Sequence, residues 1–423
     1  MNRLSHLSKC ESDSYGALAS PIWAGASDDD LCSSQMRGNK KTKHVMKNER
    51  NKTKTINETP ALRRLGRSVL TALSTNKTAV GAVAAVMLIS QASADSFFFS
   101  TGNPDGKVAT LSRPSSPGKL QTETADDFIV TNSIVLNEAT FTGLIPAGAN
   151  LSSIGQVEVE VYHVFPFDTG FPLSTNVPTR TNSPSDVEID SATRDSAKGS
   201  LSFTATLVNS SFTASNSVVN GINKKPGQRT NGEGPVTGQE VQITVRFNPP
   251  ISLPADNYFF RPEVLLDSGD FLWLSAPKPI VAPGTPFAAD RQSWIRNDDL
   301  APDWLRIGTD ITGQGPFNAA FSLSGETDAD GDGVADSLDQ CPGTPAGEIV
   351  DAEGCSIDQL APCSGPATGG RWKNHGQYVS TVARVTEVFL AQGLITVEQA
   401  EEIIAQAAQS NCGELRRATL RRK

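Results

Sequence analysis

The chain has 423 residues, 38% of them hydrophobic, with 37 Lys and Arg against 46 Asp and Glu (formal charge −9) and six cysteines. That length provides for two or more domains with sizeable cores, and 35 Gly with 26 Pro, only slightly above ordinary usage, exclude a collagenous or wholly disordered chain. The acidic balance excludes nucleic acid as a general partner, because phosphate neutralisation needs a basic face.

The charge is unevenly spread. Residues 1–94 hold 14 Lys and Arg against 7 Asp and Glu, which leaves 23 against 39 for residues 95–423. The sign changes at a processing signal. Residues 78–90 read T-A-V-G-A-V-A-A-V-M-L-I-S, preceded by Arg63, Arg64, Arg67 and Lys77 and followed by Ala92-Ser93-Ala94. A basic flank, a short apolar run and a small-residue site form a secretory signal, with cleavage expected after Ala94. The run falls short of the roughly 18 residues that span a bilayer, so the expected product is secreted or on the cell surface, with no membrane span after cleavage. The signal lies far from Met1; a start at Met46 would leave a long but workable leader, making residues 1–45 a candidate mis-called start. Cleavage discards Cys10 and Cys32 and leaves Cys341, Cys355, Cys363 and Cys412 for an oxidising compartment. Of the three possible pairings, proximity in sequence favours Cys341–Cys355 with Cys363–Cys412.

Residues 95–325 follow a period of two. Val157, Val159 and Val161 alternate with Glu158, Glu160 and Tyr162; Leu201, Phe203, Ala205 and Leu207 with Ser202, Thr204 and Thr206; Val241, Ile243, Val245 and Phe247 with Gln242, Thr244 and Arg246. Each run has one apolar and one wet face, and further strands are expected at 134–141, 257–266, 271–275, 304–307 and 317–323. The fold class expected is mainly β, an antiparallel β-sandwich. The polar stretches 166–200 and 209–238 read as long functional loops, and Lys224, Lys225 and Arg229 within the second read as a solvated segment.

No catalytic site emerges from this body. His163 shares a face with three valines and reads as a core or strand-end histidine. Asp126, Asp127, Asp256, Asp267, Asp270, Asp298 and Asp299 are carboxylates whose spacing ties no pair to acid/base work. Trp294 and Trp304 would stack on sugars if exposed on one face, whereas Trp273 within F-L-W-L reads as core.

The chemistry-bearing residues lie further on, in D-A-D-G-D-G-V-A-D-S-L-D-Q-C-P at 328–342. Asp328, Asp330, Asp332, Asp336 and Asp339 stand at positions 1, 3, 5, 9 and 12 of a loop with Gly333 at 6 and the Val334 carbonyl at 7. Hard oxygen ligands at this spacing wrap one Ca²⁺, with the glycine allowing the sharp turn. Asp339 replaces the longer Glu usual at position 12, and a single such loop predicts extracellular-type affinity, on the order of 10⁻⁴–10⁻³ M. The run resembles a thrombospondin type 3 repeat. That resemblance covers about 30 residues and implies calcium ligation by these aspartates, a disulfide at Cys341, and an extracellular setting. Residues 351–355, D-A-E-G-C, resemble a truncated second half.

After a Gly/Pro hinge at 365–370 the period turns helical. Tyr378, Val382, Val385 and Phe389 form one stripe, Gly393 ends the helix, Thr396 and Gln399 open the next with a capping box, and Val397, Ala400, Ile404 and Ala407 form its apolar face. Cys363 and Cys412 bracket this pair, so the expectation is a small disulfide-stapled α-helical hairpin. Residues 372–380, W-K-N-H-G-Q-Y-V-S, resemble a C-terminal stretch of secreted bacterial proteins carrying such repeats. Lys373 and His375 at the helix start read as capping and packing groups, and the tail R-R-A-T-L-R-R-K as a solubilising end.

Four parts are therefore expected: a leader (1–94), a β-sandwich (95–325), a thrombospondin type 3-like calcium loop (326–358) and a helical hairpin with a basic tail (359–423). The function they imply is non-enzymatic: a calcium-binding structural or adhesion protein whose Ca²⁺ stiffens the connector, with a matrix, cell-surface or polysaccharide partner. The alternatives are an extracellular carbohydrate-binding module using Trp294 and Trp304, and a secreted hydrolase.

Overall fold

A computed structural model describes residues 96–169, 176–222 and 229–414. The chain divides into two units, Met1–Ala85 and Val86–Lys423, and all described residues belong to the second. The export signal, Cys10, Cys32, Lys224, Lys225 and the basic tail from residue 415 lie outside the described residues.

The strands in chain order are β1 (Ser96–Ser100), β2 (Val108–Leu111), β3 (Thr122–Val130), β4 (Ile134–Pro146), β5 (Ile154–His163), β6 (Arg194–Asp195), β7 (Leu201–Ala214) and β8 (Asn216–Val218). They continue with β9 (Val236–Leu253), β10 (Asp256–Leu266), β11 (Leu272–Ala276), β12 (Trp294–Asn297), β13 (Leu305–Arg306), β14 (Asn318–Ala319) and β15 (Phe321–Thr327). Two sheets result. One runs β1-β15-β4-β11-β2-β8, with β9 and β7 added beside β4 and β14 beside β11; the other runs β13-β12-β3-β10-β5-β6. The pairing is antiparallel except between β2 and β8, which run parallel, a departure from the all-antiparallel expectation.

The alternating valines settle the register. Val157, Val159 and Val161 of β5 join Phe128 and Phe260 of their own sheet and Val241, Val245 and Phe321 of the other in one core cluster. Phe260 stacks on Phe321 between the sheets at 5.2 Å, and Trp273 is fully buried with its indole N–H on the Ala320 carbonyl at 2.9 Å. Each such side chain contributes about 1.5–3 kcal/mol by leaving water.

The opposite face of the smaller sheet departs from expectation. Glu160 and Tyr162, read above as wet, are buried, as are Glu123, Arg261, Glu263 and Arg296. The cause lies in the first of the polar stretches read above as long functional loops. Within 176–190, Arg180, Ser183, Ser185 and Asp186 are buried and cover this face, and Trp304 donates to the Ser185 carbonyl at 3.2 Å. The second polar stretch is also shorter than its composition implies, since β7 extends to Ala214 and β9 begins at Val236.

Three helices follow the sheets: α1 (Ile357–Leu360), α2 (His375–Ala391) and α3 (Val397–Gln409). Asn374 caps α2. The turn after it is closed by Gly393 N–H to Leu390 and Leu394 N–H to Phe389, a Schellman pair. The Thr396–Gln399 capping box has both of its bonds. Tyr378, Val382 and Phe389 are buried as the stripe requires, but Val397 is exposed and Ile403, rather than Ile404, packs between the two small clusters. Val397 opens α3, one residue past its cap, before the helix has turned onto α2. No helix among the described residues is long and apolar enough to cross a membrane.

Candidate functional site

The acidic loop hangs from the larger sheet. As β15 ends, Asp328 N–H donates to the Ser133 carbonyl at 3.0 Å, and Asp336 N–H returns to Thr327 at 2.9 Å, closing the loop on itself. Gly333, at φ 96°, takes the left-handed turn that the sequence assigned to it. Asp328 is fully buried, its two carboxylate oxygens accepting the N–H groups of Gly331 (2.9 Å) and Gly333 (3.0 Å). Oxygens of Asp328, Asp330 and Asp332 come within 4.8 Å of one another. Gly354 brings the remaining part of the loop close: a Cβ there would meet Asp339 Oδ1 at 2.3 Å and Asp332 Oδ2 at 3.2 Å.

Asp336 behaves differently. Asp336 spends its oxygens on the Thr327 hydroxyl (2.5 Å) and the Ala329 N–H (2.8 Å). Val334 donates its N–H to Asp332 Oδ1 at 2.8 Å. So Asp328, Asp330 and Asp332 form the assembled group, Asp339 borders it, and Asp336 locks the base of the loop.

Electrostatics favour a cation at this group. Burial pushes the Asp328 carboxyl above its ordinary range, against the backbone N–H groups of Gly333, Gly331 and Asp332, and the Asp330 charge adds to the shift. Asp332 and Asp339 are raised in the same way, by desolvation and then by neighbouring carboxylates. Asp332 Oδ2 is shut off from solvent with no hydrogen-bond partner among the described residues. An all-oxygen acidic donor set with one unsatisfied buried carboxylate oxygen suits a hard divalent cation. The four cysteines pair as Cys341–Cys355 and Cys363–Cys412, one bridge closing the acidic loop and the other tying the start of the helical unit to its end.

His163 sits at the end of β5, its Nε2 3.4 Å from Asp168 and its Nδ1 3.7 Å from Asp256, with the ring against Phe167. Trp294 and Trp304 do share a cluster, but both are buried against Tyr162 and Phe259, so they provide no exposed sugar platform. Glu123 and Glu160 do approach each other, both accepting from the Tyr162 hydroxyl (3.1 and 2.6 Å), yet they lie in a sealed ionic layer. Arg261 sits at its centre, bridging Glu123 (3.0 Å), Glu263 (2.5 Å) and Glu160. Arg296 pairs with Glu123 and lies over the Trp304 ring at 4.3 Å. Burial raises Glu123, but Arg296 and Arg261 outweigh it and hold this carboxyl below its usual range. For Glu263 burial wins over Arg261 and the carboxyl is pushed well up; Glu158 rises to about 7 by the same cause. Sequence reasoning missed this layer because its partners come from β3, β5, β10 and β12, and its member on β3, Glu123, stands in T-E-T-A-D-D-F-I-V with no local partner.

No family model matches the chain, and no solved structure matches it. Two curated proteins share short stretches with it. The α-agarase of Thalassotalea agarivorans is 48% identical over 54 residues, 13% of this chain and 3% of the agarase. The α-agarase of Alteromonas agarilytica is 64% identical over 33 residues, 8% of this chain and 2% of that protein. The chain thus spans a few per cent of the length of these relatives, and the likeness is that of a short segment.

Proposed function

We propose that the chain is an exported calcium-binding structural protein in which an antiparallel β-sandwich is joined, through a Ca²⁺-stiffened loop, to a disulfide-stapled helical hairpin. The observation that carries this reading is the convergence of Asp328, Asp330 and Asp332 within 4.8 Å, at the point where the chain leaves the sheet. Three carboxylates held that close repel one another, and a bound Ca²⁺ supplies the neutralising charge. Asp328, Asp330 and Asp332 would hold the ion, with Asp339 beside them. What this chain's own residues do is fix the loop: Asp336 clamps its base, Gly333 turns it, and the Cys341–Cys355 bridge closes its far side.

The role that follows is mechanical, in adhesion or matrix contact outside the cell. The setting is supported by the apolar run before Ala94 and by two disulfides in a chain of this size. The short likeness to two α-agarases is consistent with a polysaccharide-rich surrounding. Calorimetric titration of the full chain with CaCl₂ tests the reading: wild type takes up about one ion at submillimolar to millimolar concentration, and Asp332→Asn weakens uptake at least tenfold. Absence of any calcium heat up to several millimolar would defeat it.

A further inference from the structure

A cleft of about 390 Å³ that shares no lining residue with the acidic loop is bounded by Asn182, Ala289, Arg291, Gln292, Trp294 and Arg306. Its size lies within the roughly 300–1,000 Å³ of small-molecule sites, and three features set it apart.

The first is strain. Among the described residues four non-glycines have positive φ, and two of them, Asn182 (63°) and Ala289 (64°), line this cleft. Alanine in that region costs on the order of 1–2 kcal/mol, and such positions concentrate where a wall is held for a ligand. The second is a pair of orphan donors. Trp294 is 1% exposed and its Nε1–H has no acceptor among the described residues; the buried Nε–H of Arg291 has none either. Indole and guanidinium nitrogens can only donate, and a buried donor without an acceptor is destabilising until one arrives. The third is the bias of the remaining wall. The Gln292 carbonyl is already taken by the Thr309 hydroxyl at 3.0 Å, which leaves its NH₂ group. Asp290, the acidic residue of the wall, is held by Lys278 at 2.6 Å. Two guanidiniums, Arg291 and Arg306, complete the site, each in contact with one carboxylate, Asp127 and Asp310.

A wall that presents two buried unpaired donors and two guanidiniums is complementary to a ligand rich in oxygen acceptors and negative charge. A bare inorganic anion would leave most of this volume unfilled. We propose that this cleft binds one acidic saccharide unit, a polyol carrying a carboxylate or sulfate ester, with Arg291 and Arg306 facing the oxyanion and the Trp294 N–H bonding a ring or hydroxyl oxygen. The site is independent of calcium and gives the β body a ligand of its own.

The test is ligand-observed NMR and calorimetry on the full chain with glucuronate, galactose 6-sulfate, galactose and inorganic sulfate. One or both acidic sugars should bind at least tenfold more tightly than galactose and than sulfate. Trp294→Phe, which keeps an aromatic ring but removes the donor, should weaken binding about tenfold, in line with the loss of one hydrogen bond to a buried partner. Arg306→Gln should cut the preference for acidic over neutral sugar by a similar factor. Near-ultraviolet circular dichroism confirms that each variant is folded, and Gln292→Ala serves as the second probe if Trp294→Phe is not. Equal binding of galactose and the acidic sugars, tightest binding of free sulfate, no binding at 10 mM, or folded variants with wild-type affinity would each overturn the proposal.

Discussion

Replacing Arg261 by methionine isolates the contribution of the buried ionic layer. Arg261 is 1% exposed and touches three carboxylates, Glu123, Glu160 and Glu263, themselves 0–7% exposed. Methionine fills a similar volume, so the packing loss is small and the electrostatic loss dominates. Removing one partner from a buried ion cluster typically costs about 3–5 kcal/mol, because the remaining charges stay desolvated. At roughly 2–4 °C per kcal/mol for a body of this size, the Tm should fall by about 6–20 °C. The deficit should also depend on pH. Without the guanidinium, Glu263, which burial already pushes well up, loses the charge that opposes that rise, so the stability it retains is present at low pH and lost as pH climbs through its raised value. Urea unfolding of wild type and variant at pH 5 and pH 8 therefore gives the larger difference at pH 8. Glu263→Gln is the internal control: burial already pushes that carboxyl well up, so the neutral amide should cost much less than the loss of Arg261. A deficit below about 1 kcal/mol, or one equal at both pH values, would refute the reasoning.

Three other outcomes are expected. Asp127 is raised to about 7, chiefly by burial and against the Arg291 N–H and guanidinium; its contribution to stability is intact below the ordinary carboxylate range and is lost as pH rises through about 7, so Asp127→Asn should flatten the decline in denaturation midpoint between pH 5 and 8. Gly354→Ala adds a Cβ 2.3 Å from Asp339 Oδ1 at a φ of 77°, and calorimetry should record at least a tenfold loss of calcium affinity. Both ring nitrogens of His375 face carbonyls, Nδ1 that of Cys412 (2.8 Å) and Nε2 that of Ala408 (3.1 Å), which raises its pKa; an NMR titration should show the imidazolium persisting above its ordinary value, with its help to the helical unit present below about 6.5 and lost as pH climbs past the raised value.

What could be read in the sequence was what is decided locally. The valine alternation of β5 and β9, the Thr396–Gln399 box and the turn at Gly393 each depend on residues a few positions apart. β3 escaped because T-E-T-A-D-D-F-I-V is buried on both faces, which erases the period of two, and β1, β2 and β12 are too short to display one. Tyr162 and Glu160 were misplaced for a related reason. Period two tells which residues share a face, but not whether something covers it, and the cover comes from a Ser/Asn/Pro-rich stretch whose composition reads as loop. The acidic loop was legible in composition and spacing, yet not in the division of labour among its carboxylates, since Asp336 is claimed by a hydroxyl nine residues earlier.

That division predicts where the connector gives way first. The far half of the loop is secured without a cation: Cys341–Cys355 closes it, and Gln359 fastens it by donating to the Cys341 carbonyl (3.0 Å) while accepting from Ser356 N–H (2.9 Å) and the Thr344 hydroxyl (2.7 Å). The near half depends on Asp328, Asp330 and Asp332, whose mutual repulsion opposes the very turn their backbone bonds stabilise. Chelation should therefore expose residues 329–335 to proteolysis while 340–356 stays protected, and reduction of the disulfides should open the second segment independently. Mass spectrometry of fragments from limited digestion, with calcium, with chelator, and with chelator plus reductant, distinguishes the two halves. Cleavage in chelator spread evenly over 325–360, or rates unchanged by calcium, would mean that the carboxylates do not hold the near half in place.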